Sequence, residues 1–139
     1  MENRKEAHFI IENRVEELAV LFEKIEQLTE IWDFTVPLTM NINLVLEEVV
    51  SNVIFYAYND KFKHEINIGL SLQNNLLTIV ITDDGKPFDP TSNQLPDINL
   101  KAEDRPVGGL GIFLISKIMT EVYYERKENL NILTLKKTI

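Results

Sequence analysis

Residues 65–85 read EINIGLSLQNNLLTIVITDDG. Apolar side chains fall on alternate positions, Ile66, Ile68, Leu70 and Leu72, then Leu77, Ile79 and Ile81, with mostly polar or small residues between them. A period of two sends successive side chains to opposite faces of a strand, so each run presents one apolar face. Asn74-Asn75 stands between the runs and is a turn-forming pair. The stretch predicts a β-hairpin whose second strand delivers Thr82-Asp83-Asp84-Gly85 at its far end.

Upstream the period lengthens. Ile42, Val45, Val49, Val53 and Tyr56 recur at three- and four-residue steps, which predicts a helix running to about Tyr58, with Pro37 and Thr39 marking a break and a cap before it. Val15, Leu18, Ala19, Phe22, Ile25 and Leu28 form an earlier amphipathic helix, with Glu and Lys between the apolar positions. The apolar run Ala7 to Ile11 supplies an edge strand.

Downstream, Gly85 to Pro106 shows no sustained period and forms a loop of about twenty residues, a length that in a compact domain usually carries function. GGLGIFLISKIMT then reads as a glycine turn opening a helix, expected to pack beside the helix that carries Asn52. EVYYERK and NILTLKKTI follow as two strands joined at Glu128-Asn129. Helices interspersed with hairpins predict an α+β two-layer sandwich: a mixed, mostly antiparallel sheet with helices on one face. At 139 residues and 45% hydrophobic content, the chain is read as one domain, residues 1–139.

Twenty-two acidic against 14 basic residues give a net charge of -8, which disfavours contact with nucleic acid or anionic lipid. No cysteine is present, and His8 and His64 lack metal-ligand spacing, which argues against disulfides, thiolate metal sites and zinc chemistry. The N-terminus lacks an apolar signal core, and the apolar runs fall short of the ~18 residues of a membrane span, so no membrane association and a cytoplasmic location are expected.

Three short motifs carry chemistry. Glu48 and Asn52 stack one turn apart on the second helix; an amide oxygen is a hard neutral ligand suited to magnesium, and the carboxylate can position or deprotonate a hydroxyl. The plain alternative is a solvated Glu beside a chance Asn. Asp83, at a strand end, can accept a hydrogen bond from an exocyclic amine such as adenine N6, with Gly85 permitting close backbone approach, although Asp-Gly is also an ordinary turn pair. Gly108, Gly109 and Gly111 open a helix whose free N–H groups and dipole suit phosphate. The sequence lacks the Gly-Lys-Ser/Thr ending of a P-loop and the βαβ setting of a dinucleotide fingerprint.

Taken in this order, the motifs resemble the GHKL ATPase superfamily and its Bergerat ATP-binding fold, most closely the small anti-sigma serine kinases of the RsbW and SpoIIAB type. The likeness extends from the first helix to the last strand. It implies Glu48 as catalytic base, Asn52 as magnesium ligand, Asp83 as adenine reader, and Gly85, Gly108, Gly109 and Gly111 in nucleotide contact. Residues 85–106 become an ATP lid, with Arg105 at its end placed to meet the γ-phosphate or a protein partner. The implied activity is ATP- and Mg2+-dependent phosphorylation of a serine or threonine on a STAS-domain anti-anti-sigma factor, with a sigma factor as the second partner and a homodimer as the common assembly. A rival from another class is an ATP-binding partner-switching module without kinase activity. Two departures from the family pattern stand out. Tyr56 occupies the place where relatives often carry a His, and the lid is acidic, with Asp89, Asp97, Glu103 and Asp104.

Overall fold

The computed structural model describes residues 3–90 and 109–139. The chain runs β1 (Lys5–Glu12), α1 (Glu17–Trp32), α2 (Val36–Tyr56), β2 (Glu65–Gln73), β3 (Leu76–Asp83), α3 (Gly109–Ile118), β4 (Glu121–Lys127) and β5 (Leu130–Thr138). The strands form one sheet in the order β1-β2-β3-β5-β4. Every pairing is antiparallel, so the parallel component of the expected mixed sheet is absent among the described residues. The reason is topological: β5 returns between β3 and β4 and separates the two strands that run the same way.

Both hairpins turn where expected. Asn74 and Asn75 take φ of 54° and 61°, and Glu128 and Asn129 take 53° and 64°. Two successive left-handed residues match the right-handed twist of the strands they join, and asparagine tolerates that conformation better than most side chains.

Helix α2 starts earlier than the sequence reading placed it. Thr35 is its cap, accepting a hydrogen bond from the Leu38 N–H at 3.2 Å, and Pro37 sits in the first turn, where no N–H is needed. Thr39 is not the cap; it lies inside the helix, with its hydroxyl 3.0 Å from that of Thr29 on α1. The helix ends at Tyr56, two residues short of the expected end. By length and composition α2 could cross a membrane, but Leu38, Ile42, Val45, Leu46, Val49 and Val50 are buried in the protein core.

One face of the sheet is apolar, as alternation requires. Ile66, Ile68 and Leu70 of β2, Leu77, Ile79 and Ile81 of β3, and Leu133 and Leu135 of β5 meet Leu21 and Ile25 of α1, the buried stripe of α2, and Ile115 of α3 in one cluster. The helices cover that face, and α3 contacts α2 as expected. The same alternation that buries Ile81 and Leu133 carries two polar residues inward at the next step, Asp83 and Asn131, which are 5% and 6% exposed. They are directly opposite each other across β3 and β5.

Leu46, fully buried between helix and sheet, is the natural probe of this layer. Leu46→Ala should cost about 2–5 kcal/mol. Urea unfolding should show this as a lower midpoint with an unchanged slope, whereas a changed slope would mean that the helical layer is not one cooperative unit with the sheet.

Candidate functional site

A cleft lies between α2, α3 and the ends of β3, β4 and β5. Val49, Val53, Ile81, Ile115 and Leu133 make the walls apolar, and Asn52, Asp83 and Asn131 supply the polar groups. An apolar slot with a few fixed polar groups suits a flat heterocycle with a polar edge.

Asp83 is held by its own turn. Its Oδ1 accepts from the Gly85 N–H at 2.9 Å and from Asn131 Nδ2 at 3.0 Å. Those two bonds fill one oxygen, no described residue is seen to donate to the other, and Asp83 itself lines the cleft. Burial raises the Asp83 pKa above the usual carboxylate range. The Asn131 and Gly85 hydrogen bonds oppose that rise, the neighbouring Asp84 adds to it, and Arg126 opposes it.

Gly85 serves this arrangement in a way the sequence reading did not foresee. It is buried against the end of α2, where an added Cβ would lie 2.5 Å from the Ala57 Cβ and 2.6 Å from the Ala57 oxygen. The missing side chain makes room for a helix end. The same junction is fastened by the Lys86 N–H donating to the Ala57 carbonyl at 2.8 Å and by Arg126 donating to the Gly85 carbonyl at 2.7 Å.

On α2, the Asn52 amide donates from Nδ2 to Glu48 Oε1 at 3.3 Å. That orientation leaves the Asn52 oxygen for a ligand, as a hard cation requires. Asn52 lines the cleft, whereas Glu48 sits one turn back, half-buried and outside the lining. Tyr56, in the position where a His was expected, is part of the wall. Gly109 and Gly111 lie in the first turn of α3, and Ile115 of the same helix reaches the cleft. Arg105 and Gly108 lie outside the described residues, as does most of the 85–106 segment.

The structure thus brings Asn52 and Asp83 to one cleft, with Glu48 attached through Asn52. It adds Asn131, Tyr124, Arg126 and Phe88, which the sequence reading passed over. Asn131 had a visible signal: it shares the inward face of β5 with Leu133 and Leu135, and a polar residue at a core position demands partners. Arg126 and Phe88 had none, because each meets a group more than forty residues away, the Gly85 carbonyl and the Asn131 side chain respectively.

Beneath the Asp83 turn, His64 stacks on Tyr58 with ring centres 4.2 Å apart. It also bridges Asp60 at 2.8 Å and Asp84 at 3.1 Å. Its pKa is raised above the ordinary 6.5 by the Asp60 hydrogen bond first and then, against the opposing effect of burial, by Asp84. A raised folded pKa means that the stabilisation is fully present below 6.5 and is lost as pH rises through the folded value. His64→Gln should therefore lower the melting temperature more at about pH 5.5 than at about pH 8.5, and equal losses at both would show that the bridge is not ionic.

A family profile described as the histidine kinase-like ATPase domain matches residues 11–137. The serine/threonine-protein kinase BtrW of Bordetella bronchiseptica is 26% identical over 98 residues, covering 70% of this chain and 69% of that protein. The serine-protein kinase RsbW of Oceanobacillus iheyensis is 31% identical over 91 residues, 59% of this chain and 54% of the relative. RsbW of Bacillus cereus is 29% identical over 100 residues, 69% of this chain and 62% of the relative. The matched stretch thus spans between 54% and 69% of these relatives' own length. With a profile match running from β1 to β5 over an antiparallel sheet, a covering helical layer and a cleft that joins Asn52 to Asp83, the chain belongs to the histidine kinase-like ATPase domain family.

Proposed function

We propose that this chain is an ATP-dependent serine/threonine protein kinase that phosphorylates a STAS-type anti-anti-sigma protein and thereby controls a sigma factor. The observation that carries the nucleotide half of this reading is the pair of spare oxygens at one cleft, the amide oxygen of Asn52 and the second carboxylate oxygen of Asp83. The kinase half is supported by Glu48 beside Asn52 and by the names of the BtrW and RsbW relatives. The protein substrate and the sigma factor follow from family likeness.

In this reading the apolar walls hold the adenine ring while Asp83 accepts from its exocyclic amine. Asn52 offers its oxygen to magnesium, which when bound supplies positive charge to the triphosphate. Gly109 and Gly111 leave the opening turn of α3 clear for phosphate oxygens, with Gly85 keeping the Asp83 turn seated, and Gly108 and Arg105 belong to the same proposed set. Glu48 orients the acceptor hydroxyl and takes its proton. Phosphoryl transfer asks little covalent work of a protein, so positioning supplies most of the acceleration. Asn52 donates to one Glu48 oxygen at 3.3 Å, which leaves the other carboxylate oxygen for a hydroxyl.

Asp83→Asn keeps an oxygen for the Gly85 N–H and Asn131 but replaces the charge-bearing acceptor. The raised pKa of Asp83 means that its ionised form costs stability at neutral pH, so the variant should melt no lower than the wild type. Its affinity for Mg-ATP should fall by roughly tenfold to a hundredfold, the worth of a charge-assisted hydrogen bond. Asn52→Ala should weaken Mg-ATP more than metal-free ATP. Titration calorimetry with wild-type affinity in both variants would remove the assignment.

For the transfer step, γ-labelled ATP is incubated with the protein and candidate STAS proteins. Label on a partner serine that disappears with Glu48→Gln supports the kinase. ATP binding with no label on any partner supports the alternative, a nucleotide-ordered partner-switching module.

A further inference from the structure

Asn131 makes four hydrogen bonds from a nearly sealed position. Its Nδ2 donates to Asp83 Oδ1 at 3.0 Å and to the Lys86 carbonyl at 2.9 Å. Its Oδ1 accepts from the Tyr124 hydroxyl at 2.6 Å and from the Phe88 N–H at 3.3 Å. A side-chain amide has two donor hydrogens and two acceptor lone pairs, so its capacity is full. Its orientation is fixed as well. Turning the amide over would set its oxygen against the Asp83 carboxylate and the Lys86 carbonyl, both acceptors, and its NH2 against the Phe88 N–H, a donor.

We infer that Asn131 is the positioning residue that selects which oxygen of Asp83 is presented to the nucleotide base, and so sets the preference for an amine-bearing purine. The inference rests on the reading of Asp83 as the base-binding group. Asn131 and Gly85 together occupy Oδ1, which holds the carboxyl group against rotation and leaves Oδ2 without a donor among the described residues, on a side chain that lines the cleft. A freely turning carboxylate would share its acceptors between the strand end and the ligand, and it would lose directionality toward an N–H. Tyr124 on β4 acts at one remove, since its hydroxyl holds the Asn131 oxygen and thereby keeps the amide NH2 on Asp83.

The same residue ties the base-reading carboxylate to the chain that follows it. Lys86 and Phe88 leave Gly85 in an irregular path, and Asn131 bonds one backbone group of each. Asp83, Lys86 and Phe88 therefore share a single anchor.

The charged and titratable groups around Asp83 are Asp84 in its own turn, Arg126 on β4 and Tyr58 after α2. They lie on three elements, and none of them donates a hydrogen bond to the carboxylate among the described residues. Asn131 is therefore the one side chain that orients it there.

The test compares adenosine triphosphate with inosine triphosphate, which carries an oxygen in place of the exocyclic amine. Affinities are measured by calorimetry for the wild type, Asn131→Ala and Tyr124→Phe, with melting curves for each. The wild type should prefer ATP; Asn131→Ala should reduce that preference by about tenfold or less, in keeping with one lost hydrogen bond of orientation, and Tyr124→Phe by a smaller factor. A merely structural role would weaken both nucleotides equally and leave the ratio unchanged, which overturns the inference. Tyr124→Phe removes only one oxygen and decides the question if Asn131→Ala does not fold: an unchanged ratio overturns, a reduced one supports. A wild type with no preference for ATP overturns the reading of Asp83 and this inference together.

Discussion

The structure depends on how one carboxylate is tolerated in a place built for a methyl group. β3 alternates so strictly that Asp83 arrives on the same face as Leu77, Ile79 and Ile81. Left alone there, a carboxylate would cost several kcal/mol or simply take up a proton. The fold answers with a backbone N–H from two residues on and an amide from the strand opposite. Both answers need particular neighbours: a residue at 85 small enough to lie against α2, and an inward polar residue at the start of β5. Much of the chain's local character near the cleft follows from that requirement.

The helical layer meets a different demand. α2 must bury enough apolar surface to hold the sheet and still expose Asn52 at the cleft. It does so by turning six apolar residues toward the core while Glu48 and Asn52 occupy the flank between core and solvent. Because these two side chains bond each other, the site is partly organised before any ligand arrives. Such preorganisation lowers the ordering cost of binding.

The architecture was legible because its signals were repeated. Each strand of the two hairpins has several alternating positions, and both turns carry an asparagine in the left-handed region. Element edges were less legible: the cap of α2 fell to Thr35 rather than Thr39, since cap choice turns on one hydrogen bond and tertiary contacts claimed the Thr39 hydroxyl. Glu48, Asn52 and Asp83 could be picked out because their spacing and their position at a strand end have chemical meaning by themselves. Arg126 and Phe88 acquire meaning only from strand order, since their partners are more than forty residues away in sequence. The full antiparallel character of the sheet was hidden for the same reason, being settled by where β5 inserts.

The contact between Gly85 and Ala57 gives the cleft a gauge. Asn52 and Ala57 belong to the same helical stretch, and Asp83 and Gly85 to the same turn, so a junction made largely of main-chain atoms sets the span between the amide oxygen and the carboxylate. Main chain at a helix end has far less freedom than a side chain that can change rotamer. The pocket therefore measures its occupant with a nearly rigid caliper, one jaw on α2 and the other on β3. Adaptation to a longer or shorter ligand has to come from elsewhere in the molecule.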